Sequence, residues 1–147
     1  ALLPDAVYGQ AGPSCFVAGT PVTTERGEIA IEDLRPGDVV VAFDTRTGQR
    51  VTTRVTHLIP REHRPVAAID LSNGQALRVT AEHPFFVPAE GFVLAEQLSP
   101  GDELLGADGE RVTVLATTAF EDDETVYDLS VAEPHDYFAG GVLVHNY

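Results

Sequence analysis

Gly27-Glu28-Ile29-Ala30-Ile31-Glu32-Asp33-Leu34-Arg35-Pro36-Gly37-Asp38 returns later in the chain as Gly91-Phe92-Val93-Leu94-Ala95-Glu96-Gln97-Leu98-Ser99-Pro100-Gly101-Asp102. Glutamate, leucine and Pro-Gly-Asp recur at one fixed offset, so the chain holds an internal repeat. Each copy predicts one helical turn stopped by Pro-Gly, followed by re-entry into a strand: proline cannot continue a helix and glycine accepts the turn. A weaker echo sets Ile69-Asp70-Leu71-Ser72 against Tyr127-Asp128-Leu129-Ser130 at a slightly different offset. Two copies are too few for a solenoid. They predict a pseudo-two-fold fold in which each half covers the apolar face of the other.

Outward from the repeat the pattern stays the same. Short runs rich in Val, Ile and Thr, among them Val39–Phe43, Val51–Ile59, Val66–Leu71, Ala76–Thr80, Val112–Thr118, Thr125–Val131 and Gly141–His145, alternate with turn residues. Thr47-Gly48, Asn73-Gly74 and Asp108-Gly109 fall where hairpin turns are wanted. No window sustains a 3.6-residue apolar stripe, so the class is all-β. Residues 1–14 have no apolar period and carry Pro4, Gly9, Gly12 and Pro13, which predicts a flanking tail. The expected division is a tail over 1–14, a domain over 15–146, and Tyr147 as a C-terminal flanking residue.

At 147 residues the chain fits one domain. Its formal net charge of -14 argues against nucleic acid as partner, because phosphate binding needs a basic surface. No apolar run is long enough to cross a bilayer, and no basic-then-apolar signal segment is seen at the start. A monomer with neither nucleic acid nor membrane as partner is expected, and no localisation is assigned. All nine basic residues are Arg, which codon bias explains. The single cysteine, Cys15, leaves no internal disulfide and no cysteine-based zinc site.

The chemistry-bearing residues sit in four places. Cys15 lies on the border between tail and domain. Thr80-Ala81-Glu82-His83-Pro84 ends a strand with a hydroxyl and an imidazole three residues apart. Asp128 interrupts the apolar run Val126-Tyr127-Asp128-Leu129. His135, His145 and Asn146 crowd the C-terminal segment. Asn146 is a latent nucleophile: its side-chain nitrogen can attack its own main-chain carbonyl, close a succinimide and cut the chain, with the imidazole of His145 next in line for acid-base help. Each group alone has a plainer reading, as an inert buried thiol, a chance Thr-x-x-His, an Asp on a solvated face, or surface histidines such as His57 and His63. Zinc held by His83, His135 and His145 is a weak third reading, since no ligand-like spacing joins them; no cofactor is expected.

Taken together, Cys15 with Phe16-x-x-Gly-Thr-Pro-Val, Thr80-x-x-His83-Pro84, Val126-Tyr127-Asp128-Leu129-x-Val131-x-x-x-His135 and Leu143-Val144-His145-Asn146 resemble, in order, the motif blocks of inteins and the wider Hint family of Hedgehog and intein autoprocessing domains. The resemblance covers Cys15 to Asn146. It implies a horseshoe-like β fold of two related halves that brings both ends together. The loop near Phe120-Glu121-Asp122-Asp123-Glu124 falls where relatives can carry an inserted endonuclease, so the domain looks minimal. A standard intein is followed by Cys, Ser or Thr, whereas Tyr147 stands here, which is similar to the bacterial intein-like domains.

The resemblance further implies roles. Cys15 attacks the carbonyl of Ser14 to give a thioester, His83 protonates the departing nitrogen, Thr80 hydrogen-bonds the same region, and Asp128 handles the thiol proton or anchors the sulfur. At the far end Asn146 cyclises, with His145 polarising the scissile carbonyl and His135 acting on the amide or the leaving amine. The substrate is then the chain's own flanking polypeptide, and the acyl acceptor is water or an external thiol or amine. The reading from another class is an inactive Hint fold kept as a binding or spacer module of a larger secreted protein.

Overall fold

The computed structural model describes residues 14–146; the predicted tail up to Pro13 and the flanking Tyr147 lie outside the described residues. Thirteen strands follow in chain order: β1 (Cys15–Val17), β2 (Pro21–Thr24), β3 (Gly27–Ala30), β4 (Val39–Asp44), β5 (Gln49–Leu71), β6 (Ala76–Thr80), β7 (Pro84–Val87), β8 (Gly91–Leu94), β9 (Glu103–Leu105), β10 (Arg111–Thr117), β11 (Asp122–Val131), β12 (Asp136–Ala139) and β13 (Val142–His145). Among the described residues the only helical pieces are 3-10 turns at Ile31–Asp33 and Ala95–Gln97, and no helix is long and apolar enough to cross a membrane. The fold is all-β.

Those two turns are the repeat, and they are built alike. In each, the Asp of Pro-Gly-Asp accepts the N–H three residues back through its carboxylate: Arg35 to Asp38 and Ser99 to Asp102, both at 2.8 Å. In each, the following strand is clasped by a partner valine, Val55 for Gly37 and Asp38, Val114 for Gly101 and Asp102. Ile31 and Leu34 on one side, Ala95 and Leu98 on the other, drop into the same buried core. The six-stranded sheet carries the pseudo-symmetry openly, in the order β3-β2-β12-β13-β7-β8, with one hairpin from each half flanking a central pair. The other sheet runs β11-β1-β6-β5-β10-β9, with β4 paired to β5 and β11 pairing β5 as well.

Two expectations are corrected. Val51–Ile59 and Val66–Leu71 belong to one continuous strand, β5, in spite of Pro60 and Pro65. Over the stretch holding those prolines β5 pairs only β11, while β4 takes the earlier part and β6 the later. One side of the ladder is therefore vacant there, and a residue without an N–H is tolerated. The acidic stretch Asp122–Glu124, expected in a loop, opens β11 instead, because Arg78 of β6 pairs with both Glu124 and Asp122, the latter at 2.9 Å.

The turn between β12 and β13 aims the chain's end at the site. Gly140 and Gly141 both have positive φ, 57° and 81°, the backbone that a two-residue hairpin with right-handed strand twist requires. Three other segments hold the turn: Gly140 N–H donates to Pro21 O and Asn73 Nδ2 donates to Gly140 O, while Ala107 N–H donates to Gly141 O. A Cβ at Gly140 would overlap the side chain of Leu77 as well as meet the strained φ. Gly140→Ala is therefore expected to destabilise the domain by about 2 kcal/mol or more in urea unfolding, and a neutral change would contradict the placement of this turn.

Candidate active site

β1 opens on Cys15, fully buried, and the antiparallel register sets it opposite Asp128 of β11. The Cys15 main-chain N–H donates to Thr80 Oγ1 at 3.0 Å, and the Thr80 hydroxyl lies 3.4 Å from the Cys15 carbonyl oxygen. Thr80 ends β6, so the amide of the Ser14–Cys15 bond is held by a side chain from another strand. Asp128 does not act alone: Arg61 of β5 reaches its Oδ2 with Nε at 3.2 Å and Nη2 at 3.0 Å. Burial pushes the Cys15 thiol up from 9.0 to about 12; the charge of Asp128 adds to the rise, and Arg61 and Arg64 oppose it. At neutral pH the sulfur keeps its proton.

His83 is boxed by rings. Phe16 lies 4.4 Å away between centroids, Phe85 5.9 Å and Tyr137 6.5 Å, and all three are fully buried. Burial pushes the imidazole down from 6.5 to about 3; the Pro84 carbonyl opposes the shift and His145 adds to it. The ring is neutral at neutral pH, because a charge in this apolar box costs more than any nearby partner returns. His83 Nδ1 lies 3.4 Å from Pro84 O. A carbonyl only accepts, so Nδ1 carries the proton.

The far end is held by one peptide group. Val131 N–H donates to Asn146 Oδ1 at 3.1 Å, and His135 Nδ1 donates to Val131 O at 3.0 Å. Asn146 is buried, and its main-chain N–H donates to His135 O at 2.8 Å. The carboxamide is thus fixed with its oxygen bonded and its nitrogen as the remaining reactive atom. With Nδ1 protonated, Nε2 is the basic nitrogen of a neutral His135. His135 has φ of 63°, a left-handed conformation that costs a non-glycine residue roughly 1 kcal/mol and is held here by these contacts. His145 ends β13 with its ring edge-on to Phe92 at 4.9 Å and 6.4 Å from the His135 ring. Thr56, Ser130, Val131, His135 and Asn146 line a cleft of about 320 Å³.

All seven sequence candidates converge on these two ends, and β11 joins them. Asp128 stands opposite Cys15, and Val131 grips Asn146. Three residues of strand span about 10 Å at ~3.3 Å each, so the two ends are near neighbours. Among the described residues no three His, Cys, Asp or Glu side chains form a metal site.

The family profile described as Pretoxin HINT domain matches residues 21–147. This chain belongs to the pretoxin HINT family. Among solved structures, a bacterial intein-like domain from Clostridium thermocellum is 33% identical, with a TM-score of 0.85 over 92% of this chain and 100% of that one. A DnaB intein from Synechocystis superposes with a TM-score of 0.80 at 19% identity, over 91% and 99% of the two chains, a likeness of fold. Warthog protein 1 of Caenorhabditis elegans is 28% identical over 130 residues, 83% of this chain. The chain spans about a quarter (26%) of that relative's length. The fold is that of self-processing domains, and the chain is a HINT domain of this general kind.

Sequence reading missed four groups in the HINT domain: Arg61, Val131, Tyr137 and Asp136. Arg61 lay between two prolines in a stretch read as a break. Val131 acts through its main chain, which leaves no mark in a side-chain pattern. Tyr137 lies in an apolar run and carries no sequence signal of its own. Asp136 is buried, accepts the Phe43 N–H at 2.9 Å and stands opposite His145 in the β12–β13 register. Burial pushes its carboxyl up from 3.8 to about 7, the Phe43 bond opposes this, and the charge of Asp44 adds to it. The folded state therefore binds this proton more tightly than the unfolded state. The stability it contributes is complete below pH ~4 and is lost as pH rises toward 7, at up to about 1.4 kcal/mol per pH unit. Asp136→Asn keeps an oxygen for Phe43 and is expected to remove this loss, raising stability at pH 8 more than at pH 5. Equal effects at both pH values in urea unfolding would contradict the assignment.

Proposed function

We propose that this HINT domain cuts its own backbone at Ser14–Cys15 and at Asn146–Tyr147, once per molecule, and that release of the flanking chains dominates over joining them. The observation that carries the reading is the convergence on β11 of a cysteine whose amide Thr80 holds and an asparagine whose carboxamide Val131 holds.

At the first bond, Cys15 Sγ attacks the Ser14 carbonyl carbon, the S–C bond forms as the C–N bond breaks, and the nitrogen leaves as the amine of Cys15 with a proton from His83. Thr80 fixes that nitrogen throughout. Asp128, paired with Arg61 at 3.0 Å, sets the charge around the sulfur. Water or an external thiol or amine then takes the acyl group. Tyr147 is a poor successor to it, because its phenol is rigid and largely protonated near neutral pH.

At the second bond, Asn146 Nδ2 attacks its own carbonyl carbon and gives a proton to His135 Nε2. The bond to Tyr147 breaks, its nitrogen takes a proton, and Asn146 ends as a succinimide. The hydrogen bond from Val131 to Oδ1 favours the step, since a polarised carboxamide gives up its N–H proton more readily. Holding the reacting atoms in contact supplies several kcal/mol of the barrier. The family's description as a pretoxin domain supports a flanking polypeptide, freed by the cut, as the product of consequence.

Intact mass over time, with and without an added thiol, tests this in the wild type beside Cys15→Ala and Asn146→Ala. The expected result is thiol-dependent release of residues 1–14 that Cys15→Ala abolishes. A cut after Asn146 should leave a domain one water lighter than simple hydrolysis gives, and Asn146→Ala should abolish it. A chain that stays whole would assign an inactive module instead, and a dominant tail-to-Tyr147 ligation product would overturn the preference for cleavage. Because burial keeps the thiol protonated up to about 12, the rate of the first cut is expected to show no inflection near the ordinary thiol value of ~8.5. A plateau near that value would contradict the burial of Cys15.

A further inference from the structure

Tyr137 is fully buried in β12, and among the described residues its hydroxyl has one hydrogen-bond partner, His83 Nε2, at 3.5 Å. The His83 ring in turn has two among the described residues, Tyr137 at Nε2 and the Pro84 carbonyl at Nδ1. The box of Phe16, Phe85 and Tyr137 closes the imidazole off, so the phenol is the one polar group of the described residues through which Nε2 can exchange a proton. This matters because a neutral imidazole cannot surrender its Nδ1 proton alone. That loss would leave an imidazolate, far outside the range of protein chemistry. A proton has to arrive at Nε2 as the other departs.

We infer that the Tyr137 hydroxyl is that source, acting through His83 as a positioning and relay residue for the cut at Ser14–Cys15. The inference rests on the reading of His83 as proton donor given above. Its balance closes without any outside reactant. His83 gives the Nδ1 proton to the leaving nitrogen of Cys15, and the Tyr137 O–H proton passes to Nε2, which leaves the ring neutral as the other tautomer. The phenolate oxygen is reprotonated by the proton that Cys15 loses as its sulfur bonds to the Ser14 carbon. The net change is transfer of one proton from the sulfur to the nitrogen of Cys15. Burial raises the phenol's proton affinity, and the charges of Cys15 and Asp128 add to it, so the hydroxyl is protonated in the resting site and lies within electrostatic reach of the sulfur.

Tyr137→Phe in the full chain tests the relay. Release of residues 1–14 by added thiol should fall about a hundredfold, with loss of the solvent deuterium isotope effect that several protons in flight give the wild type. The cut after Asn146, served by His135 and Val131, should change less than about twofold, in keeping with a side chain outside that end's contacts. Nitrogen-15 spectra of the His83 ring read the contact without any cleavage: the Nε2 resonance should move on loss of the hydroxyl. Wild-type release with an unchanged isotope effect in Tyr137→Phe would overturn the inference, as would equal slowing of both cuts, which marks a packing effect. If the phenylalanine variant folds poorly, fluorotyrosine in place of Tyr137 keeps the hydroxyl and changes its acidity, and a release rate indifferent to that acidity also overturns it. If the wild type itself releases nothing, the cleavage reading fails, and an unmoved Nε2 resonance then decides separately against the Tyr137 contact.

Discussion

One peptide group, that of Val131, takes hydrogen bonds in both directions: its N–H holds the carboxamide of Asn146 and its carbonyl holds His135. Three residues earlier on the same strand, Asp128 faces Cys15. β11 is therefore a ruler on which both ends of the domain are registered, and its spacing cannot drift, since slipping a strand by one residue turns every side chain to the other face. The long β5 stiffens it from the other side, pairing β11 from Asp122 to Val131 and supplying Arg61 to Asp128. The two halves built by the Pro-Gly-Asp repeat serve this arrangement, each giving one hairpin to the sheet that carries β12 and β13 to the end of β11.

The electrostatics of the two ends differ. At the first, apolar burial keeps both principal groups uncharged, the thiol of Cys15 protonated and the imidazole of His83 neutral. Neither is a strong acid or base at rest, so neighbouring polar contacts weigh more there than individual acidities. At the second, His135 stays half-exposed beside a cleft that also reaches Asn146. A buried centre and a more open one, about 10 Å apart along β11, give the two ends separate surroundings.

Much of this was legible in the chain itself. The repeat and its turns follow from proline and glycine chemistry, and the strands from alternating Val, Ile and Thr, so the all-β class needed no tertiary information. Cys15, Thr80, His83, Asp128, His135, His145 and Asn146 were legible because reactive side chains interrupt apolar strands in a recognisable order. What escaped was tertiary or main-chain. Arg61 earns its place only through a register that a proline-flanked stretch conceals, and Val131 contributes no side-chain chemistry. Tyr137 and Asp136 carry no distinguishing mark until burial and their partners, His83 and the Phe43 amide, are known. The continuity of β5 through Pro60 and Pro65 depended on a vacant sheet edge, which composition does not reveal.

Residue-resolved hydrogen exchange on the intact chain and on Asn146→Ala tests the shared strand most directly. The account predicts that loss of the carboxamide releases the Val131 amide to fast exchange while the Cys15 amide, bonded to Thr80, keeps its protection. A Val131 amide equally protected in both chains, or Cys15 and Val131 amides that lose protection together, would contradict the placement of the two ends on β11.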